Sequence, residues 1–303
     1  MCDIKLLQEE LKKNPDDFHT IEKYAIALSD IGENEEALKN FLYLKDNFPD
    51  NANVLYNIGI ILEKLKYIDK AIQAYQAALN IMPDNTDILF NLANAYMTVQ
   101  KFDNAEELFL KVIEIDSDDA NSYFHLGKIY SIKKSHDKSI QYLEKAVELN
   151  GDDVIAKFYL GYEYKIVGQI DNAIKNYHDV LSKNSDNSWA FYNLAVIYAE
   201  QGDDSKAANY LERAIQNNPQ DIDALKVLCK IYVRNKRYLE AERILKKFSH
   251  ELPENADVCY LLAQIYKFME NKINCKKYLK NTIKKETTFT GDIEKVKKEL
   301  EEL

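Results

Sequence analysis

The acidic residues of this sequence cluster in short turns, and such carboxylates are the first candidates for chemistry because they could bind a divalent cation. Two of the turns are Ser117-Asp118-Asp119 and Gly151-Asp152-Asp153. Related Asp- or Asn-containing turns recur at regular spacing, and none has the ligand spacing of a calcium-binding loop. Asp or Asn directly before a helix also accepts hydrogen bonds from the first free amides of that helix. The recurrence therefore favours helix capping over a metal site.

The other reactive residues form no known catalytic or metal-binding motif. No Gly-rich phosphate loop or nucleophile elbow is present. The four cysteines form no CxxC pair, and Cys229 and Cys275 are interpreted as core residues. The histidines, which form no zinc-binding pair, are His19, His125, His136, His178 and His250. We therefore expect no catalytic residue, no metal and no cofactor.

Composition indicates an acidic, helix-forming chain of 303 residues with only 8 Gly and 5 Pro. The formal net charge of −10 is uneven, because residues 222–303 hold 18 Lys and Arg against 13 Asp and Glu. This asymmetry points to a charge-selective partner. A nucleic-acid partner is not expected, because phosphate binding needs a broad basic surface.

The first ten residues are charged and amphipathic, unlike the apolar core of a signal peptide. No apolar run approaches the roughly 20 residues that span a bilayer. The sequence thus predicts a cytoplasmic protein with no membrane span.

A pattern of small and aromatic residues returns every 34 residues, without insertion or deletion, in eight copies. In Tyr192-Asn193-Leu194-Ala195-Val196-Ile197-Tyr198 a small residue follows a leucine, and a second small residue, Ala207, lies nine residues after Tyr198. The apolar positions follow helical spacing on both sides of a turn. Small residues on facing helices allow the two backbones to approach closely. The pattern predicts two packed helices per copy.

These residues resemble the tetratricopeptide repeat, a helix-turn-helix unit of this period. The resemblance implies an all-α, right-handed superhelical solenoid of eight repeats with capping helices at both ends. Residues 1–17 are expected to form the N-terminal capping helix or half repeat, and residues 290–303 the C-terminal capping helix. The repeats within residues 18–289 are expected at 18–51, 52–85, 86–119, 120–153, 154–187, 188–221, 222–255 and 256–289.

The resemblance also implies that the first helix of each repeat lines a concave groove. Positions two, five, six, nine, twelve and thirteen of each repeat are not needed for packing and are expected to face this groove. Position six carries Asn57, Asn91 and Asn193, a row interrupted by His125 and Tyr159. In similar repeats such asparagines bind the backbone of an extended peptide, since an amide both donates and accepts. The aromatic residues predicted at position five of this site are Tyr56, Phe90, Phe124, Phe158 and Tyr192. A purely structural role for these side chains is the alternative.

Two further features complete the predicted peptide-binding site. Trp189, the only tryptophan, stands at position two of the sixth repeat and is predicted to be an interface anchor. Lys226, Lys230 and Arg234 are spaced i, i+4, i+8 and form a basic stripe in the seventh repeat. The stripe would complement an acidic segment near repeats seven and eight, and a merely solvated face is the alternative.

The sequence therefore predicts a non-catalytic protein–protein interaction scaffold that binds an extended peptide or protein segment in the concave groove. Two alternatives stay open at this point. The chain could be a self-associating structural assembly factor, that is, a homo-oligomer, or the regulatory subunit of a separate enzyme.

Overall fold

The computed structural model describes residues 4–303, and all regular structure in that range is helical. This confirms the all-α prediction. Cys2 and the start of the predicted N-terminal cap lie outside the described residues. The chain divides into two compact units, Met1–Ala156 and Lys157–Leu303, with the boundary inside helix α10 (Val154–Ile166).

The first unit begins with α1, which ends directly before Asn14-Pro15. Pairs of helices follow, and contacts run mainly between helices that are consecutive in the chain. The helices are α1 (Ile4–Lys13), α2 (Phe18–Asp30), α3 (Asn34–Asn47), α4 (Ala52–Lys64), α5 (Ile68–Ile81), α6 (Thr86–Thr98), α7 (Phe102–Ile115), α8 (Ala120–Ile132) and α9 (His136–Leu149).

The second unit continues the same alternation and ends in a short 3-10 turn, Glu286–Thr288, and a last helix, α18 (Ile293–Glu301). From α2 onward, the first helix of each pair begins 34 residues after the previous first helix. The remaining helices are α11 (Ile170–Lys183), α12 (Ser188–Glu200), α13 (Asp204–Asn217), α14 (Ile222–Arg234), α15 (Tyr238–Glu251), α16 (Ala256–Phe268) and α17 (Lys272–Lys284). The assignment of eight repeats with two caps stays a prediction.

An Asp or Asn precedes each first helix and accepts hydrogen bonds from its first turn. The Asn51 carboxamide accepts from the backbone N–H of Val54 at 3.2 Å, and that of Asn187 accepts from Ala190 at 2.9 Å. These contacts confirm the capping interpretation of the acidic turns. The capping residues are Asp17, Asn51, Asn85, Asp119, Asp153, Asn187, Asp221 and Asn255.

Spacing also predicts that an aspartate caps the second helix of four pairs, but the aspartates near the start of α5, α7, α9 and α11 do not cap these helices, so this prediction is wrong. The residues before these helices make no side-chain capping bond. Each aspartate is the second residue of its helix, where its charge complements the positive end of the helix dipole without capping an amide. The four aspartates are Asp69, Asp103, Asp137 and Asp171.

The small residues of both repeat positions are buried throughout, which confirms that they bring paired helices together. A Cβ atom added to Gly59 would lie 2.4 Å from the ring of Tyr75, and one added to Gly127 would lie 2.6 Å from Leu143 Cγ. At these contacts α4 packs on α5, and α8 on α9, with no room for a methyl group. This close packing fixes the orientation of each first helix, and with it the side chains that do not face the second helix.

Candidate functional site

The position-five aromatics of the first unit lie between the two helices of a pair. The ring centroid of Tyr56 on α4 is 5.9 Å from that of Tyr75 on α5, and Phe90 on α6 is 5.5 Å from Phe109 on α7. Both Tyr56 and Phe90 are half-buried against the core. The expectation that position five is not needed for packing is therefore wrong for these rings, because they fill the space between paired helices. Only their outer edges can meet a ligand.

Phe124 on α8 is also half-buried, and the Lys128 ammonium lies 5.4 Å from its ring centroid. In the second unit, Phe158 on α10 lies 5.7 Å from Tyr177 on α11, repeating the interhelical contact. Tyr192 on α12 packs partly against the core. Burial raises the pKa of the Tyr192 phenol, assisted by the nearby carboxylates of Asp221 and Asp223.

The three asparagines of position six use a side-chain N–H within the protein. Asn57 donates to the backbone carbonyl of Asn53 at 2.9 Å, whereas Asn91 donates to the Tyr56 hydroxyl at 2.6 Å. Asn193 donates to the carbonyl of Trp189 at 2.9 Å and is only 7% exposed. The amides of Asn57 and Asn91 are half-buried. These bonds hold the side chains in one orientation and leave each carboxamide a further donor and an acceptor.

His125 takes the place of an asparagine at position six of α8. Its ring stacks on Phe109 at 5.0 Å with an interplanar angle of 3°, and it meets the edge of Phe90 at 5.5 Å. Its Nδ1 atom is buried and has no hydrogen-bond partner among residues 4–303. Burial, with the charge of Lys128, lowers the His125 pKa to about 4. The imidazole is therefore neutral at physiological pH, and protonation is costly.

Trp189 is 61% exposed at the start of α12. Tyr162 on α10 belongs to the same unit and is 42% exposed. The sequence prediction that position two points away from the core is confirmed for Trp189. An exposed tryptophan carries a large apolar area that a partner could cover.

The basic stripe of α14 is largely neutralised by carboxylates of the same unit. Lys226 lies 3.2 Å from the buried Asp257 carboxylate. The Arg234 guanidinium makes two hydrogen bonds to Asp204, with Nε 2.9 Å from Oδ2. Lys230 is exposed, and within the described part of the chain it forms no ion pair. Spacing placed the three cations on one face, but of these three only Lys230 has no carboxylate partner among residues 4–303.

The C-terminal segment covers the first-helix face of α16, which sequence reasoning missed. The Glu299 carboxylate of α18 accepts from the Tyr260 hydroxyl at 3.0 Å and from Gln264 Nε2 at 2.7 Å. It also lies 3.9 Å from the ammonium of Lys267. Tyr260, Gln264 and Lys267 hold positions five, nine and twelve of the last pair. The sequence contained a signal for this contact. Glu299 lies three residues after the buried Val296, so both side chains are on the inward side of α18.

Thr290 ties the same segment to the basic stripe. Its hydroxyl donates to Asp257 Oδ1 at 2.7 Å and accepts from Lys226 Nζ at 3.0 Å. The backbone N–H of Thr290 donates to the other Asp257 oxygen at 3.2 Å. A buried carboxylate with three such donors is well satisfied. Lys226 is therefore part of the attachment of the C-terminal segment.

The described residues offer little for metal or small-molecule chemistry. Within residues 4–303 no three His, Cys, Asp or Glu side chains lie close enough together to hold a metal ion. A cavity of about 470 Å³ opens between α13, α14 and α15, and its apolar lining is Ile215, Leu228, Ile244 and Phe248. Cys229, Cys259 and Cys275 are buried free thiols, and burial raises the Cys229 pKa to about 12, so this thiol is not poised for nucleophilic chemistry.

None of the helices in the described chain combines the length and the apolar character needed to cross a lipid bilayer.

Comparison with known proteins connects this geometry to one family. Three family models described as tetratricopeptide repeat match the chain. They match residues 62–127 and 167–228, residues 120–153 and 256–284, and residues 24–86. No curated protein sequence matches.

Several solved structures share the fold. A tetratricopeptide repeat protein from Parabacteroides merdae aligns with a TM-score of 0.59 at 16% identity, covering 93% of this chain and 97% of its own. YrrB, a TPR protein with an unusual peptide-binding site, aligns at 0.55 and 24% identity over 62% of this chain and 96% of its own. MamA aligns at 0.52 and 25% identity over 57% and 94%.

The matched segments together cover residues 24–153, 167–228 and 256–284, and they coincide with the regularly spaced helix pairs. Buried small residues, Asp or Asn caps and the 34-residue period describe the same unit. The chain belongs to the tetratricopeptide repeat family.

Proposed function

We propose that this chain is a non-catalytic scaffold that binds an extended peptide or protein segment on the exposed face of its first helices. Proteins of this family are generally protein-interaction scaffolds. The observation that carries the proposal is Trp189, whose indole is 61% exposed on α12. A partner that covers this indole would bury a large apolar area, and tryptophan is among the residues that contribute most to binding at interfaces.

In the second unit, the ligand would place an apolar side chain against Trp189 and an acidic one near Lys230. Lys230 is the stripe residue without a carboxylate partner in the described chain, so it can pair with a ligand at no internal cost. Tyr192 and Phe158 would add the outer edges of half-buried rings. Lys226 and Arg234 belong to internal ion pairs and would contribute only after exchanging partners.

In the first unit, Asn57 and Asn91 would bond to peptide backbone groups. One N–H of each is already committed within the protein, and a second N–H and the side-chain carbonyl remain for a ligand. Tyr56, Phe90 and Phe124 flank them with ring edges. Each new bond would contribute about 0.5–1.5 kcal/mol. The buried Asn193 supports its helix and contributes less.

The test is selection of binding peptides from a displayed random library, followed by affinity measurement with purified variants. Trp189→Ala and Lys230→Glu should each weaken binding of the selected peptide at least about tenfold. A tenfold loss corresponds to about 1.4 kcal/mol, which substitutions at interface hot spots reach or exceed. Tyr67→Ala is the matched control, because Tyr67 is also an exposed aromatic, at 54%, but lies in the turn before α5. Unchanged affinity in both site variants would refute the proposal.

A further inference from the structure

Helix α17 carries an unusual run of positive charge. Between Lys272 and Lys284 it has five lysines and no acidic residue. Four of them recur at i, i+4, i+8 and i+12, so they form one stripe about 18 Å long. The opposite face packs into the core through Cys275, Leu279 and Thr282. The lysine stripe consists of the exposed residues Lys272, Lys276, Lys280 and Lys284.

The lysine stripe differs from other lysines of the same unit in its ion pairing. Among residues 4–303, none of its four lysines forms an ion pair. Elsewhere in the unit, lysines pair readily, as Lys246 does with Glu242 at 2.6 Å and Lys297 with Glu294 at 2.6 Å. Like charges at i, i+4 repel each other, so an acidic surface laid along the stripe would relieve this repulsion.

Exposed apolar side chains accompany the stripe. The second residue of α15 is Leu239 and that of α17 is Ile273, and they are 68% and 83% exposed. The same position holds aspartate in α5, α7, α9 and α11. Phe268, 53% exposed, stacks on Tyr238 at 6.0 Å, which brings the ends of α15 and α16 together. The last two helix pairs therefore combine cationic and apolar groups, and their second position is apolar where that of α5, α7, α9 and α11 is acidic.

We propose that this surface binds a second copy of the chain through the acidic residues of its first unit. Residues 1–156 contain 28 Asp and Glu but only 16 Lys and no Arg, so every copy supplies the complementary charge. That unit also exposes apolar side chains, including Ile31 at 56% and Ile115 at 45%. The two faces differ, so the contact is heterologous, and each added copy leaves a free basic and a free acidic face.

Other acidic partners fit less well. An interfacial membrane helix needs a free apolar face, and the apolar face of α17 is buried in the core. A nucleic acid would meet only a few lysines on a chain whose net charge is −10. A second copy needs neither an inserted helix nor a broad basic surface, only a short acidic and apolar face.

The experiment is sedimentation velocity of the full chain over a wide concentration range in low and high salt. The sedimentation coefficient should rise with concentration in low salt and less so in high salt, because exposed ion pairs are screened. Lys276→Glu/Lys280→Glu should weaken association at least about tenfold, because two attractive contacts become like-charge contacts across the interface. Lys175→Glu/Lys298→Glu, exposed lysines of α11 and α18, changes net charge equally and should associate like the parent.

Leu239→Asp/Ile273→Asp separately tests the apolar part, since it restores the aspartate found in earlier helices and alters only exposed side chains. It should also weaken association, with unchanged circular dichroism and a melting temperature that is not lowered, because the new aspartates complement the helix dipole. A chain that stays monomeric in low salt overturns the proposal. So does a Lys276→Glu/Lys280→Glu variant that associates as strongly as the parent. Binding of the parent to anionic vesicles without self-association would assign the surface to lipid instead. Trp189→Ala should still associate, so this result is independent of peptide binding.

Discussion

Tyr75 and Tyr177 hold the same place in two helix pairs, 102 residues apart, but their hydroxyl groups differ. Tyr75 donates to Glu63 Oε2 at 2.5 Å. The Tyr177 hydroxyl is buried and has no hydrogen-bond partner in the described chain. Lys165 stands where Glu63 stands in the earlier pair, so the acceptor is missing. One residue on a neighbouring helix thus decides whether a buried hydroxyl is satisfied.

Phenylalanine substitutions should therefore have opposite effects at the two sites. Tyr75→Phe removes the donor from a partly buried carboxylate and should destabilise the protein by about 1–2 kcal/mol. Tyr177→Phe removes an unsatisfied group and should be neutral or stabilise by up to about 1 kcal/mol. Urea denaturation measures the free energy of unfolding of both variants, and each variant is the control for the other. Equal losses would contradict the difference in hydrogen bonding.

His125 should make stability depend on pH. Its folded pKa of about 4 lies below the ordinary value of about 6.5, so the unfolded chain binds the proton first as pH falls. Stability is then lost from about pH 6.5 down to about pH 4, by up to roughly 2–3 kcal/mol. His125→Asn, which inserts the residue found at positions 57 and 91, should remove this component.

Denaturation midpoints between pH 4 and 7 measure the effect of His125. His19→Asn is the control, because the His19 side chain is 81% exposed. This substitution should leave the pH dependence of the denaturation midpoint unchanged. Coincident pH profiles for the parent and His125→Asn would show that the buried imidazole does not titrate as inferred.

At the scale of elements, the turn inside each helix pair contains one residue with a left-handed backbone. Three of these residues are glycines and five are not. Left-handed backbone costs a non-glycine residue about 1–2 kcal/mol. The position recurs every 34 residues as Gly32, Lys66, Gln100, Lys134, Gly168, Gly202, Lys236 and Glu270.

Exchanges at this turn position should change stability through the backbone alone. Gln100→Gly should stabilise by about 0.5–1 kcal/mol, and Gly202→Ala should destabilise by about 1 kcal/mol. No atom lies within 4 Å of a Cβ added to Gly202, so crowding is not the cause. Gln201→Ala, one residue earlier with φ of −76°, is the matched control and should be neutral. Thermal melts that rank these variants otherwise would contradict the assignment.

At the scale of the molecule, contacts join mainly consecutive helices, so one whole period should be removable. Deleting residues 86–119 removes α6 and α7 and places α8 directly after the Asn85 cap in the same register. We expect a folded protein with unchanged helix content per residue. Deleting residues 86–102 removes half a period, so α7 follows α5 and its apolar face is out of register. A denaturation curve of this control, followed by circular dichroism, should show no cooperative unfolding transition. Equally cooperative unfolding of the two deletion variants would contradict nearest-neighbour packing.

Prediction from sequence was strongest where the cause is local or periodic. The helix starts, their Asp and Asn caps and the buried small residues such as Ala93 and Ala105 follow from spacing, because helix geometry converts sequence period into a face. It was weaker for the candidate site. Tyr56 and Phe90 look free by position but are half-buried, because the facing ring of the second helix comes close enough to pack on them.

The sequence by itself determined that this chain forms paired helices of fixed length with a core of small and aromatic residues. Only the tertiary structure decided which charged groups remain available. Lys226, Lys230 and Arg234 are equivalent by spacing, yet Asp257 and Asp204 neutralise two of them from other helices. Periodicity specifies on which face of its own helix a side chain lies. Ion pairs depend on distances between helices, which arise only when those helices pack.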